Sequence, residues 1–189
     1  MKKSKFVKYC INILSTVLIV FLSFLLIAKI IFVEVVVSGP SMNPVLTDLE
    51  YGYTDRLIYK FTGLDRYDIV VVKTRDDSLF IKRVIGLPNE TIQIIDGRVY
   101  INDELLTDDT YCKDLINNAG KASNKITLAD DEYFVMGDNR NNSLDSRNEY
   151  LGVVKYSQIY GHSFISRGFC NDKTCDSIYG KHDYIVKGW

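Results

Sequence analysis

The chain is poor in histidine, the commonest general base and metal ligand. Two histidines occur among 189 residues, so a Ser-His-Asp triad would have to use His162 or His182. His162 lies in a strand-like run (YGHSF) and His182 in a polar tail. Neither is surrounded by other polar functional residues, and both read as surface or packing histidines. The four cysteines do not form the two close ligand pairs typical of zinc sites, so no metal is expected. A site built from Cys170, Cys175 and His182 is the weaker reading. Cys170 and Cys175 flank a turn-like Asn-Asp-Lys-Thr spacer, which leaves a disulfide between them an open question. With a net charge of −1, the chain lacks the basic field of a nucleic-acid binder. Internal repeats, alternating strand-helix units, glycine-rich phosphate loops and cofactor motifs are all missing.

Long apolar runs are also scarce, with one exception. YCINILSTVLIVFLSFLLIA (9–28) follows Lys2, Lys3, Lys5 and Lys8. Twenty such residues in a helix span roughly 30 Å, the depth of a bilayer's hydrocarbon core. LIAKIIFVEVVV, which comes next, offers no small-residue cleavage site of the A-x-A kind, so the segment reads as an uncleaved anchor and not a removable leader. The lysines ahead of it place the N-terminus in the cytoplasm. The expected organisation is a cytoplasmic stretch 1–8, a transmembrane anchor 9–33 and an extracytoplasmic domain 34–189.

Past the anchor the pattern changes to alternation and short apolar runs. DIVVVK (68–73), LFIKRVIGL (79–87), ETIQII (90–95), RVYIN (98–102), EYFVMGD (132–138) and 150–166 read as strands. Asp96-Gly97 joins two of them as a hairpin, and 103–131 is a polar, loop-dominated insertion. The predicted fold class is mainly β: one membrane helix followed by an antiparallel β domain.

Three stretches carry chemistry. In SGPSMNP (38–44), Ser41 is either a turn residue at the membrane exit or a nucleophile on a stiffened loop. Since both histidines read as structural, a base for it must come from another residue type, and lysine is a known alternative. Lys82 lies inside the apolar run SLFIKRVIGL, on the face shared with Phe80 and Val84. A free lysine with a pKa near 10.4 is neutral in only about one molecule in a few thousand at pH 7. Burial among apolar neighbours disfavours the ammonium and can make the amine a general base. From this stretch alone, a lysine snorkelling from an edge strand is the stronger reading. In the third stretch, MGDNRNNSLDSR (136–147), Arg140 and Ser143 stand at positions that argue against a calcium loop. Its close-set aspartates and arginines read as a fixed ion-pair network able to orient a buried lysine.

Together these segments resemble the bacterial type I signal peptidases, membrane-anchored Ser-Lys endopeptidases that remove signal peptides from exported preproteins. Four blocks occur in order over about residues 35–154: SGPSMNPVL (38–46), DRYDIVVVK (65–73), IKRVIGLPNE (81–90) and GDNRNNSLDSR (137–147). The first departs from the family pattern at Val45, the second at Tyr67 and the third at Asn89-Glu90, while the fourth matches throughout. The resemblance implies that Ser41 is the nucleophile and Lys82 the general base. Ser143 would hydrogen-bond the lysine amine, Asp145 and Arg147 would form a supporting ion pair, and Asp138 and Arg83 would belong to the same network. Substrate would lie as an extended strand between 35–38 and 79–81, with Val35, Val37, Met42, Phe80, Ile81, Val135 and Met136 shaping pockets for small residues. Met42 and Pro44 would shape the nucleophile loop. Gly39 stands where Gram-negative members carry an oxyanion-binding serine, which favours the Gram-positive form and leaves the Ser41 N–H as the main donor. Implied partners are signal peptides and the lipid bilayer, at the outer face of the cytoplasmic membrane. The alternatives are a self-cleaving repressor of the same fold, which needs no anchor, and a catalytically silent scaffold, which would tend to lose Ser41 or Lys82.

Overall fold

The computed structural model describes residues 2–112, 114–169 and 185–187. Cys170, Cys175, His182 and Trp189 lie outside the described residues, and so do the disulfide and the weaker metal reading that rest on them.

Helix α1 (Lys2–Ile31) has no proline or glycine to interrupt it, and an apolar helix satisfies its own backbone without water. Within it, Phe6–Ile31 is long and apolar enough to cross a membrane, and none of it is buried against the rest of the protein. The helix ends at Ile31 and runs directly into strand β1 (Phe32–Ser38). Phe32 and Val33 therefore belong to the sheet, two residues before the expected boundary. Pairing claims them: Phe32 lies opposite Asp55 and Val33 opposite Thr54 on β2 (Glu50–Asp55).

The remaining strands are β3 (Ile69–Lys73), β4 (Leu79–Gly86), β5 (Thr91–Ile95), β6 (Arg98–Ile101), β7 (Glu104–Leu105), β8 (Ile126–Thr127), β9 (Glu132–Met136), β10 (Val154–Lys155), β11 (Ile159–Phe169) and β12 (Ile185–Lys187), with a short helix α2 (Tyr59–Thr62) after β2. The larger sheet has the order β10-β9-β4-β12-β1-β2-β11-β3, and β3 also pairs with β4, so part of it closes into a ring. The smaller sheet has the order β7-β6-β5-β8. Its β5–β6 hairpin turns at Asp96 and Gly97, both at positive φ (49° and 73°), as a two-residue primed turn requires. Tyr150–Val153, expected as strand, form a turn, with the Gly152 N–H donating to the Asn148 carbonyl at 2.8 Å. Strand structure resumes only at Val154. As expected the pairings are antiparallel; those of β12 are the exception.

Every residue of β4 is buried, because β4 is covered on both faces. Phe80 and Val84 join a core with Val70, Val72, Tyr133 and Val135. Leu79 and Ile81 join Val35, Val37, Met42, Leu46 and Val71 on the other side. Ile85 reaches a third core, formed with Ile92, Phe134 and Met136, that packs the smaller sheet. A strand this enclosed takes any polar side chain it carries out of water.

Candidate active site

The turn after β1 is held by its own backbone. The Asn43 N–H donates to the Pro40 carbonyl at 3.0 Å, and the Leu46 N–H to the Met42 carbonyl at 2.9 Å. Met42 and Leu46 anchor the turn in the core shared by β1 and β4. Gly39 has φ 95°, a backbone shape that side chains disfavour, and its N–H donates to Asp48 Oδ1 at 2.7 Å. Ser41 is held at the centre of this turn, 1% exposed.

Lys82 stands in the Phe80–Val84 row of β4, fully buried. Its Nζ lies 2.8 Å from Ser41 Oγ and 5.5 Å from the centre of the Phe80 ring. Burial lowers its pKa to about 8; Asp145 and Asp138 pull it back up, and Arg147 pushes it down. Those carboxylates are themselves engaged. Arg83 grips Asp138 through both oxygens, at 2.7 and 2.6 Å, and the Tyr111 ring lies 3.5 Å from its guanidinium carbon. Arg147 binds both oxygens of Asp145 at 2.8 Å, and its Nη2 also donates to the Arg140 carbonyl at 2.6 Å.

The 137–147 block also holds the turn that carries Ser41. The Asn139 N–H donates to the Ser41 carbonyl at 3.0 Å, and the Asn139 side chain to the Pro40 carbonyl at 3.2 Å. The Gly137 N–H donates to Asp145 Oδ2 at 3.1 Å. Gly137 permits this approach, because a Cβ there would run into Ser143 Oγ and the Ser41 carbonyl. The insertion docks on the same block, with Asp109 on Arg140 at 2.5 Å and the Asn118 carbonyl accepting from Arg147 at 3.2 Å.

The structure thus brings Ser41, Lys82, Arg83, Asp138, Asp145 and Arg147 together. Ser143 is beside them, but its buried Oγ has no hydrogen-bond partner among the described residues; the lysine amine is directed at Ser41, so the expected Ser143–Lys82 contact is not formed. The seven residues expected to line substrate pockets are divided. Val35, Val37, Met42 and Ile81 share one core, Phe80 and Val135 another, and Met136 lies in the core under the smaller sheet. The Gly39 N–H is taken by Asp48. The Ser41 N–H donates to no group among the described residues.

Several contributors had no individual role in the sequence reading. Gly137 and Asn139 were visible inside the matching block. Asp48, Asp109 and Tyr111 come from stretches without a motif. His162, read as a surface or packing residue, bridges two carboxylates, with Nδ1 at 3.1 Å from Asp55 and Nε2 at 3.0 Å from Asp68. These contacts, led by Asp68, raise its pKa against the opposing effect of burial.

Residues 10–166 match the family described as signal peptidase, peptidase S26. Signal peptidase I S of Bacillus subtilis strain 168 is 37% identical over 147 residues, covering 74% of this chain and 78% of that protein. Signal peptidase I of Bacillus amyloliquefaciens is 36% identical over 73% of this chain and 77% of its own length. Signal peptidase I P of Bacillus subtilis subsp. natto is 33% identical over 85% and 88% respectively. A crystal structure of a signal peptidase I from Enterococcus faecalis V583 aligns at 29% identity over 57% of this chain and 97% of that one, with a TM-score of 0.39.

Proposed function

The chain belongs to the signal peptidase S26 family, and on that premise we propose that it is a membrane-anchored Ser-Lys endopeptidase that cleaves signal peptides from exported preproteins after a small residue. The observation that carries this reading is the 2.8 Å contact between Lys82 Nζ and Ser41 Oγ in a site where burial holds the lysine near pKa 8. At pH 7 such a lysine is neutral in about a tenth of molecules, against about one in a few thousand for a solvated lysine.

In this scheme neutral Lys82 accepts the Ser41 hydroxyl proton as Oγ attacks the scissile carbonyl. The unengaged Ser41 N–H faces the developing oxyanion. Lysine then gives the proton to the leaving amine, which departs as the mature protein's N-terminus. Lys82 next takes a proton from water, whose oxygen attacks the acyl-serine; the proton returns to Ser41 Oγ and the signal peptide leaves as a carboxylic acid. Asp145 and Asp138, each held by an arginine, raise the lysine pKa against the opposing effect of burial.

The α1 segment Phe6–Ile31 would anchor the chain in the cytoplasmic membrane with its lysine-rich start inside. Ser41, which follows the helix by one strand, would then lie at the outer face, where translocated signal peptides present their cleavage sites at high effective concentration. Substrate would lie along 35–38 and 79–81. The test is cleavage of an A-x-A preprotein in phospholipid vesicles. Ser41→Ala and Lys82→Ala are each expected to lose at least about a thousandfold in kcat, and wild-type activity in either would refute the dyad.

A further inference from the structure

The ring in the larger sheet has one stave unlike the rest. β1 pairs with β2, β2 with β11, β11 with β3 and β3 with β4, all antiparallel. The interval between β4 and β1 is bridged by β12, a three-residue segment from the far end of the sequence. β12 runs parallel to both walls: Val36 lies opposite Ile185, Val37 opposite Val186 and Ser38 opposite Lys187 on one side, and Leu79 opposite Val186 on the other. These are the only parallel pairings among the described residues.

The register sets how close β12 comes to the site. Its last residue pairs with Ser38, three positions before Ser41, and its middle residue pairs with Leu79, three positions before Lys82. The segment therefore lies in the gap that the proposed function gives to substrate, and it points toward the Ser41–Lys82 pair. A gap between two strands has unpaired N–H and C=O groups along both edges, and an extended peptide fills it by strand addition. Three residues form only a few ladder hydrogen bonds, each contributing modestly in net terms, so β12 is held weakly enough to be displaced. The rest of the ring is joined by antiparallel pairs that do not involve it.

We propose that residues 185–187 are an intramolecular pseudosubstrate: a strand of the chain's own C-terminal region that occupies the cleft and must yield to an incoming signal peptide. The proposal rests on the reading that substrate binds between β1 and β4. A tethered segment is present at an effective concentration in the millimolar range, so it competes with a preprotein without blocking the enzyme completely. It also keeps the sheet edges covered between turnovers, when exposed edges would invite adventitious pairing.

The experiment uses the full-length enzyme in phospholipid vesicles, a variant lacking residues 184–189, and Val186→Pro, which removes a backbone donor from the strand. Each cleaves an A-x-A preprotein. Both variants are expected to lower KM about three- to tenfold with kcat unchanged, and a synthetic peptide of residues 180–189 is expected to restore the higher KM of the truncated enzyme by competition. Unchanged or raised KM in both variants overturns the proposal. So does a joint loss of activity and thermal stability, which would make β12 a structural stave. Ser41→Ala introduced into the truncated enzyme separates the two levels. If it still cleaves, the dyad reading fails; if it is inactive while truncation leaves KM unchanged, only the pseudosubstrate fails.

Discussion

The backbone N–H of Asn139 donates to the carbonyl of Ser41 at 3.0 Å, tying the turn that carries the proposed nucleophile to a polar block almost a hundred residues further along. The approach is as close as it is because Gly137 has no side chain: a Cβ would run into Ser143 Oγ and the Ser41 carbonyl. Gly137→Ala is therefore expected to push the turn away from Lys82. A displacement of about 1 Å can cost about a hundredfold in rate, so kcat on an A-x-A preprotein should fall by about that factor with little change in KM. A kcat within twofold of wild type would contradict the link.

Arg83 and Asp138 are both buried and bind each other through two hydrogen bonds. Removing one partner of such a pair leaves an uncompensated charge, at a cost of about 3–5 kcal/mol. Asp138→Ala should show that loss in denaturant unfolding, and adding Arg83→Met should recover most of it. A fully additive double variant would show that the two charges act independently. Because Asp138 raises the lysine pKa, Asp138→Ala should also move the acid limb of the activity profile to lower pH.

Lys82 weakens the fold. Its folded-state pKa of about 8 lies below the ordinary value of 10.5, so between those pH values the unfolded chain binds more protons than the folded one. Stability from this group therefore rises with pH across the window, and the full cost of burying the ammonium is felt below about pH 8. Lys82→Met fills the same space without charge. It should raise unfolding stability at pH 7 by at most about 3 kcal/mol and flatten the pH dependence between 8 and 10.5. Destabilisation at pH 7 would contradict this.

His162 acts in the opposite sense. Asp68 and Asp55 flank its ring, with the Tyr59 ring tilted against it at 6.2 Å, and its pKa is raised. A raised folded-state value gives stability that is fully present below pH 6.5 and is lost as pH climbs through that value. The Asp68 carboxyl, which burial alone would push up, is held below its usual value by His162 and the Asp65 N–H. His162→Gln should therefore melt below wild type at pH 6, with the gap closing by pH 9. An equal gap at both pH values would mean the ring acts by packing alone.

How much of this was legible in the sequence depended on how locally each feature is encoded. The β5–β6 hairpin was readable because Asp96-Gly97 supplies two residues that tolerate positive φ. β3 and β4 were readable because enclosure on both faces demands continuous Val, Ile and Phe. β2 mixes Tyr51, Tyr53 and Thr54, which favour strands, with Glu50, Gly52 and Asp55, which do not, and its pairing with β1 and β11 on either side decides the outcome. β12 is three residues held by register, which no periodicity reveals. At the site, the ordered blocks indicated Ser41, Lys82 and the paired charges. The ambiguity of Lys82 alone came from its face pattern, which suits a snorkelling lysine equally well; enclosure by three cores resolves it. The roles of Asp48, Tyr111 and Asp109 come from long-range packing and have no local signature.

The central claim is that a buried, neutral Lys82 activates Ser41, and the pH dependence of kcat/KM for an A-x-A preprotein tests it most directly. The rate should rise with pH along a single limb with its midpoint near 8, the value that burial gives Lys82, and Lys82→Ala should abolish that limb together with activity. A midpoint near 10.5 would describe a solvated lysine. A midpoint near 6.5, surviving in Lys82→Ala, would assign the base to a histidine and contradict the account.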